Sequence, residues 1–171
     1  MMLLETNRLR LRQLSVDDAE FILRLLNEPS FIQNIGDRGV RTAEDARAYI
    51  LKGPVASYEK FGFGLLLVEL KESGVPIGMC GLLKRDVLEH VDIGYALLPE
   101  FWSQGYAFES ASAVMSYARE KLGAKQVLAV VNADNQSSIR LLGKMGFRYE
   151  KMIRLADDAA EIKLFSTAVD S

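Results

Sequence analysis

The sequence predicts a mixed α+β fold built as a single domain over residues 1–171. Three observations carry this. The 171 residues, 49% hydrophobic and 26% charged, match one globular domain with a core of its own. Segments of period two and segments of helical period alternate unevenly along the chain, which argues for a mixed sheet rather than a strict βαβ repeat. No internal repeat appears, and no linker-like stretch interrupts the pattern.

The elements follow in order. Arg8-Leu9-Arg10-Leu11-Arg12 alternates strictly and reads as a half-buried strand, its arginines on one solvated face. Ser15, with Asp18 three residues on, reads as a helix cap, and Phe21, Ile22, Leu25 and Leu26 continue an apolar stripe that Pro29 should end. Residues 30–40, with Asn34, Gly36, Asp37 and Gly39, read as a loop. Thr42 caps a second helix carrying Ala46, Tyr49 and Ile50 on one side; Gly53-Pro54 breaks it, and Pro54 can open a further short helical piece. Gly64–Leu70 and Pro76–Leu83 form a hairpin around residues 71–75. His90–Leu97 is a strand stopped by Pro99. A helix runs from Gln104 or Gly105 to Leu122 and is ended by Gly123. Gln126–Val131 is a short strand, and Asn135–Met145 is a helix capped by Asn135 with Gly146 just past its end. Phe147–Ile153 and Ala160–Ala168 close the sheet around the acidic turn Asp157-Asp158.

Composition narrows the function. Lys and Arg total 21 against 23 Asp and Glu, a net charge of −2 and a pI near 5.5, so the basic footprint of a DNA- or RNA-binding protein is missing. No apolar run approaches the roughly 18 residues of a membrane span, and Met1–Glu5 has no signal-peptide pattern. Cys80 is the single cysteine, so no internal disulfide can form, which favours a reducing, cytoplasmic setting. His90 is the single histidine and has no Cys/His cluster beside it, so no metal site is expected.

The most informative stretch is His90-Val91-Asp92-Ile93-Gly94-Tyr95-Ala96-Leu97-Leu98-Pro99-Glu100-Phe101-Trp102-Ser103-Gln104-Gly105-Tyr106-Ala107, a strand that runs through a short turn into a long helix. The first amides of a helix lack internal partners and, with the helix dipole, form a site for a phosphate group. The small residues Gly105 and Ala107 let backbone approach an anion closely. Neither a dinucleotide fingerprint nor a P-loop is present. A second segment, Asn132 to Phe147, joins a strand to a capped helix ending in Gly-Phe.

With Leu4–Arg12, Asp92–Ser110 and Asn135–Phe147 in this order and spacing, the chain resembles the GNAT (Gcn5-related) N-acetyltransferases over nearly its whole length. Within them it is most similar to the ribosomal-protein N-terminal acetyltransferases of RimJ/RimL type. The resemblance implies a central mixed, mostly antiparallel sheet of six or seven strands flanked by about four helices and splayed between its fourth and fifth strands. It implies an acetyl-CoA-dependent N-acetyltransferase that passes acetyl directly to a primary amine, either a protein N-terminus or a small molecule. It also admits a homodimer.

The family's pyrophosphate loop, Q/R-x-x-G-x-G/A, falls on Trp102, Ser103, Gln104, Gly105, Tyr106 and Ala107, with Trp102 as a mark of the Rim-type branch. Tyr95, Ala96, Leu97 and Leu98 would pair with the pantetheine arm through their backbone, and Gly94 is read as a bulge that frees an amide for the thioester oxygen. Asn135 and Ser138 match the second cofactor motif, with Ser138 near the sulfur. A tyrosine that protonates the leaving thiolate in many members is replaced by Leu142, which leaves Ser138 or water in that role. The resemblance puts the general base at Asp92, where relatives more often carry Glu, and the shorter arm favours a water relay. Alternation from Asp92 makes His90 the rival base. Glu109 matches a recurrent glutamate and is read as structural. Cys80 is read as a buried thiol rather than an acyl carrier. The acceptor is expected between residues 30–40 and 155–160, where Asp157 and Asp158 could attract a cation. The lost tyrosine and the shortened carboxylate also motivate an alternative, a non-catalytic acyl-CoA-binding or sensing module.

Overall fold

The computed structural model describes residues 3–167. Met1 and Met2, part of the signal-peptide reading, and Ala168, the expected end of the last strand, lie outside them. The element order is β1 (Leu3–Glu5), β2 (Leu9–Gln13), α1 (Ala19–Leu26), α2 (Pro29–Asn34), α3 (Ala43–Ile50), α4 (Ala56–Phe61), β3 (Leu65–Leu70), β4 (Pro76–Leu83), β5 (Asp92–Leu97), α5 (Tyr106–Glu120), β6 (Leu128–Val131), α6 (Gln136–Lys144), β7 (Arg148–Ile153) and β8 (Ile162–Ser166).

One sheet of 8 strands runs in the order β1-β2-β3-β4-β5-β6-β8-β7. Every neighbouring pair is antiparallel except β5 and β6. The additional strand beyond the expected six or seven is β1, only 3 residues long and too short to show a period. The central strands bury both faces of the sheet. On one, Leu9, Leu11, Leu66, Val68, Cys80 and Ile93 pack beneath α5 and α6. On the other, Leu67 and Met79 pack beneath α1 and α3 through Ile22, Leu25, Leu26 and Ile50. Burial on both sides explains why β3 and β4 read as nearly continuous apolar runs.

Four expectations are corrected. Pro29 does not leave a loop behind it. It sits in the first turn of α2, where its missing N–H costs nothing. Pro54 does not open a helix but lies buried inside a π-helical turn, Leu51–Val55, that joins α3 to α4. The three arginines are not merely solvated: Arg8 pairs with Glu109, Arg10 with Glu5 and Glu69, and Arg12 with Asp18 and the largely buried Glu69. Gly94 is not in a bulge, because β4 and β5 pair in unbroken register from Gly78↔Leu97 to Leu83↔Asp92. The Ser15 capping box is present, although it opens a short 3-10 turn, Val16–Asp18, that leads into α1.

Candidate active site

The sheet is split between β5 and β6, which are the fourth and fifth strands of the sequence reading. Their ladder holds only Asp92↔Leu128, with Leu128 N–H donating to Val91 C=O at 2.9 Å. Beyond that point the strands part. Backbone groups alternate along a strand. Since Val91 faces β6 and Leu98 N–H donates to Ile77 C=O of β4 at 2.9 Å, the residues whose backbone faces the split are Ile93, Tyr95 and Leu97. Ala96 and Leu98 turn their backbone toward β4, so of the four expected residues only Tyr95 and Leu97 lie on the free edge. The Leu97 carbonyl already accepts from Trp102 Nε1 at 3.0 Å, which leaves its N–H.

The split opens toward the amino end of α5. Glu109 N–H donates to Gly105 C=O at 3.0 Å and is the first amide of the helix to do so, so those of Tyr106, Ala107 and Phe108 point off its end. The preceding turn is left-handed at Ser103 (φ 62°) and at Gly105 (φ 84°). For Gly105 this is free, but for Ser103 it costs about 1–2 kcal/mol, the kind of strain that gathers at binding loops. Gln104 Nε2 ties the turn to Glu100 C=O at 3.1 Å. Glu109 is structural, as expected: it accepts from Thr6 Oγ1 at 2.5 Å, from the Arg8 amide at 2.9 Å and from Arg8 Nε at 2.8 Å. The Arg8 guanidinium lies 4.3 Å from the centre of the Tyr106 ring and so braces the first turn of α5.

Across the split stands α6. Asn135 caps it by accepting from Ser138 N–H at 3.3 Å. The Ser138 and Tyr95 hydroxyls lie 2.5 Å apart, one from each side of the split. Leu142 is buried in the core beneath α5 and takes no part in the cleft. Cys80, fully buried with its thiol pushed up to about 12 by burial, is the inert thiol expected.

Asp92 sits at the foot of the split, on the face opposite α5. It is 1% exposed, and Arg85 Nε lies 3.2 and 3.3 Å from its carboxylate oxygens. Burial raises its pKa and Arg85 pulls it back, leaving it at about 6. His90 is not its neighbour on a shared face. The strand starts only at Asp92, and His90 lies in a bend beside Leu122–Gln126, at the far end of α5. On the Asp92 side, Asn132 at the end of β6 donates to Gln33 C=O at 3.2 Å and Asn34 C=O at 2.8 Å, which ties α2 to the split. Asp157 and Asp158 are exposed in the β7–β8 turn. Among the described residues no cluster of His, Cys, Asp and Glu could hold a metal ion, and no helix is long and apolar enough to cross a membrane.

The family model described as "Acetyltransferase (GNAT) domain" matches residues 8–148. The chain belongs to the GNAT acetyltransferase family. An uncharacterized N-acetyltransferase of Bacillus subtilis, YoaA, is 36% identical over 154 residues, covering 89% of this chain and 86% of the relative. Among solved structures, an acetyltransferase of Agrobacterium tumefaciens superposes with a TM-score of 0.83 at 23% identity, covering 98% of this chain and 95% of that one. A RimL L7/L12 alpha-N-protein acetyltransferase in complex with coenzyme A reaches 0.85 at 17% identity, covering 99% of both. The neighbours thus include the Rim-type branch to which the sequence motifs point. As a GNAT enzyme this protein is an acetyltransferase, and the family's acetyl donor is acetyl-CoA.

Three features of the GNAT site leave no sign in the sequence. Ser103 carries no local sign of its left-handed backbone. Asn132 opens the segment that joins a strand to a capped helix, and nothing local marks its reach to Gln33 and Asn34. Tyr95 is expected to serve the pantetheine arm through its backbone alone, although the hydroxyl end of a buried tyrosine usually finds a partner. Pairing at a distance of 43 residues has no signature in the sequence.

Proposed function

We propose that this GNAT domain, spanning the chain, is an acetyl-CoA-dependent N-acetyltransferase that passes acetyl directly to a primary amine, the N-terminus of a protein or a small molecule. The observation that carries the reading is the split itself. A free strand edge at Ile93, Tyr95 and Leu97 leads to outward-pointing amides at the start of α5. An extended, amide-bearing arm fits the edge, and a pyrophosphate fits the amides. This also reconciles a phosphorylated substrate with an acidic chain, since backbone rather than surface lysines would hold it.

In the reaction the amine lone pair attacks the thioester carbonyl carbon and the C=O π pair moves to oxygen. A free-edge amide such as Tyr95 N–H, in place of the expected Gly94 bulge, meets the growing negative charge. Asp92, buried beneath Arg85, takes the amine proton through a water relay. The oxyanion pair then re-forms the C=O bond as the C–S bond breaks, its electron pair going to sulfur, beside Ser138. Asn135 holds the first turn of α6 in place. The acceptor enters on the Asp92 side, between α2 and the β7–β8 turn. We place the protein in the cytoplasm, consistent with its single reduced cysteine.

The rival reading, a non-catalytic acyl-CoA-binding module, draws on the closed Asp92–Arg85 pair and on Leu142. Thiol release from acetyl-CoA over a panel of amines and N-terminal peptides separates the two. Turnover with at least one amine is expected. A chain stabilised by acetyl-CoA that releases no thiol with any of them refutes the enzyme reading.

A further inference from the structure

The contact between Tyr95 and Ser138 is made by two hydroxyls on opposite sides of the split, 2.5 Å apart. Each hydroxyl has one hydrogen, so only one can lie between the two oxygens. The phenol is the more acidic of the two groups and donates. Burial, against a smaller opposing effect of Ser138, holds Tyr95 at about 12, so the phenol keeps its hydrogen throughout the neutral range. Ser138 Oγ therefore accepts, and its own hydrogen must point away from Tyr95. Among the described residues Oγ makes no other hydrogen bond. The helix cap does not need this hydrogen either, because Asn135 takes the Ser138 amide and not its hydroxyl.

We propose that Tyr95 is a positioning residue. By donating to Ser138 Oγ, it turns the serine O–H into a donor aimed into the split, ready for the leaving sulfur. The inference rests on the N-acetyltransferase reading above and deepens it. As the C–S bond breaks, the electron pair goes to sulfur and the Ser138 O–H donates a hydrogen bond to it. No proton changes owner within the pair. A thiol with a pKa of about 8.5 departs as thiolate and takes its proton from water. The arrangement supplies from a strand what Leu142 cannot supply from the helix.

The test is a double-mutant cycle followed by thiol release, with acetyl-CoA and the best amine of the panel. Ser138→Ala is expected to lower kcat about 10- to 100-fold, the range for a lost hydrogen bond to a charged group. Tyr95→Phe keeps the ring in place and is expected to lower kcat about 10-fold. It should leave the KM for acetyl-CoA and the melting shift caused by acetyl-CoA unchanged. In the Ser138→Ala background Tyr95→Phe should cost nothing further, which a merely structural tyrosine would not do. Ser138→Thr, which keeps a hydroxyl, should recover most of the rate. The proposal is overturned if Tyr95→Phe matches the wild type, if the two losses multiply, or if the loss falls on KM. Should Tyr95→Phe fold poorly, an unchanged kcat in Ser138→Ala is enough to overturn it. A wild-type chain that turns over no amine sinks the enzyme reading and this inference together. A wild type that turns over, with an indifferent Tyr95→Phe, sinks this inference alone.

Discussion

Asp92→Asn should change two pH profiles at once. The carboxyl is 1% exposed, and burial lifts its pKa from 3.8 to about 6 in spite of Arg85 at 3.2 Å. Two units correspond to about 3 kcal/mol. Because the folded value is raised, the native state holds more protons than the unfolded chain between about pH 4 and 6. The stabilising contribution is therefore complete below pH 4 and is lost as pH rises through 6. For a domain of this size that is a fall of about 6–12 °C in melting temperature. Other carboxylates contribute slopes of their own, so the quantity to read is the wild-type melting curve minus that of Asp92→Asn, from pH 4 to 7.5. The second profile is kcat/KM. Protonation of an α-amine of pKa about 8 gives a slope of one below that pH. If Asp92 also takes the proton, the slope steepens to two below about pH 6 in the wild type and stays at one in Asp92→Asn. A wild-type slope of one down to pH 5, or the same break in both proteins, would refute the role of Asp92 as base. Parallel melting curves would refute the raised pKa.

Three further predictions test the surroundings of the site. Gly143 is exposed in α6, has ordinary backbone angles, and a Cβ there meets nothing within 4 Å, so Gly143→Ala should stabilise the fold by about 0.5–1 kcal/mol in denaturant titration without changing turnover. Gly105→Glu places a side chain at φ 84° and a negative charge at the start of α5. It should abolish the melting shift from acetyl-CoA, about 2.7 kcal/mol at 100 times the dissociation constant, whereas Gly105→Ala, which shares the strain but not the charge, should keep part of it. Asn132→Ala releases the carbonyls of Gln33 and Asn34, so the KM of the amine should rise several-fold while that of acetyl-CoA holds; an unchanged amine KM would remove α2 from the acceptor wall.

The parts of the site legible in the sequence were those with a local cause. Alternation in Ile93–Leu97, the stop at Pro99 and the glycine before Tyr106 together specify a strand, a turn and a helix start, and all three are present. Asn135 caps α6 because a side-chain oxygen one residue before a helix has an amide to accept from. What could not be read was either ambiguous or remote. Pro29 suits the end of one helix as well as the start of another, and its neighbours do not decide between them. The strand boundary at Asp92 rather than His90 depends on where β6 comes alongside, and that two-residue difference sends His90 to the other end of α5. The arginines of β2 looked solvated because their partners, Glu69, Asp18 and Glu109, come from three other segments. The alternation at Gly94 was legible, but the bulge expected there is absent, since a glycine in a strand can equally serve close packing. A Cβ added there would meet Leu83 at 3.2 Å.

The parting of β5 and β6 also leaves an unpaired strand edge inside the fold. An unpaired strand edge usually invites another chain to add to it, and proteins blunt such edges with charges, prolines or short strands. Here one edge is neither blunted nor on the outside. It faces inward between two half-sheets whose apolar side chains remain joined beneath α5, since Ile93, Val131, Leu142 and Phe165 belong to one core. Opening the ladder therefore leaves the packing below it intact. The bond between Tyr95 and Ser138 crosses the gap like a bar. An edge set inside the fold is thus shielded by its surroundings rather than by charges or prolines.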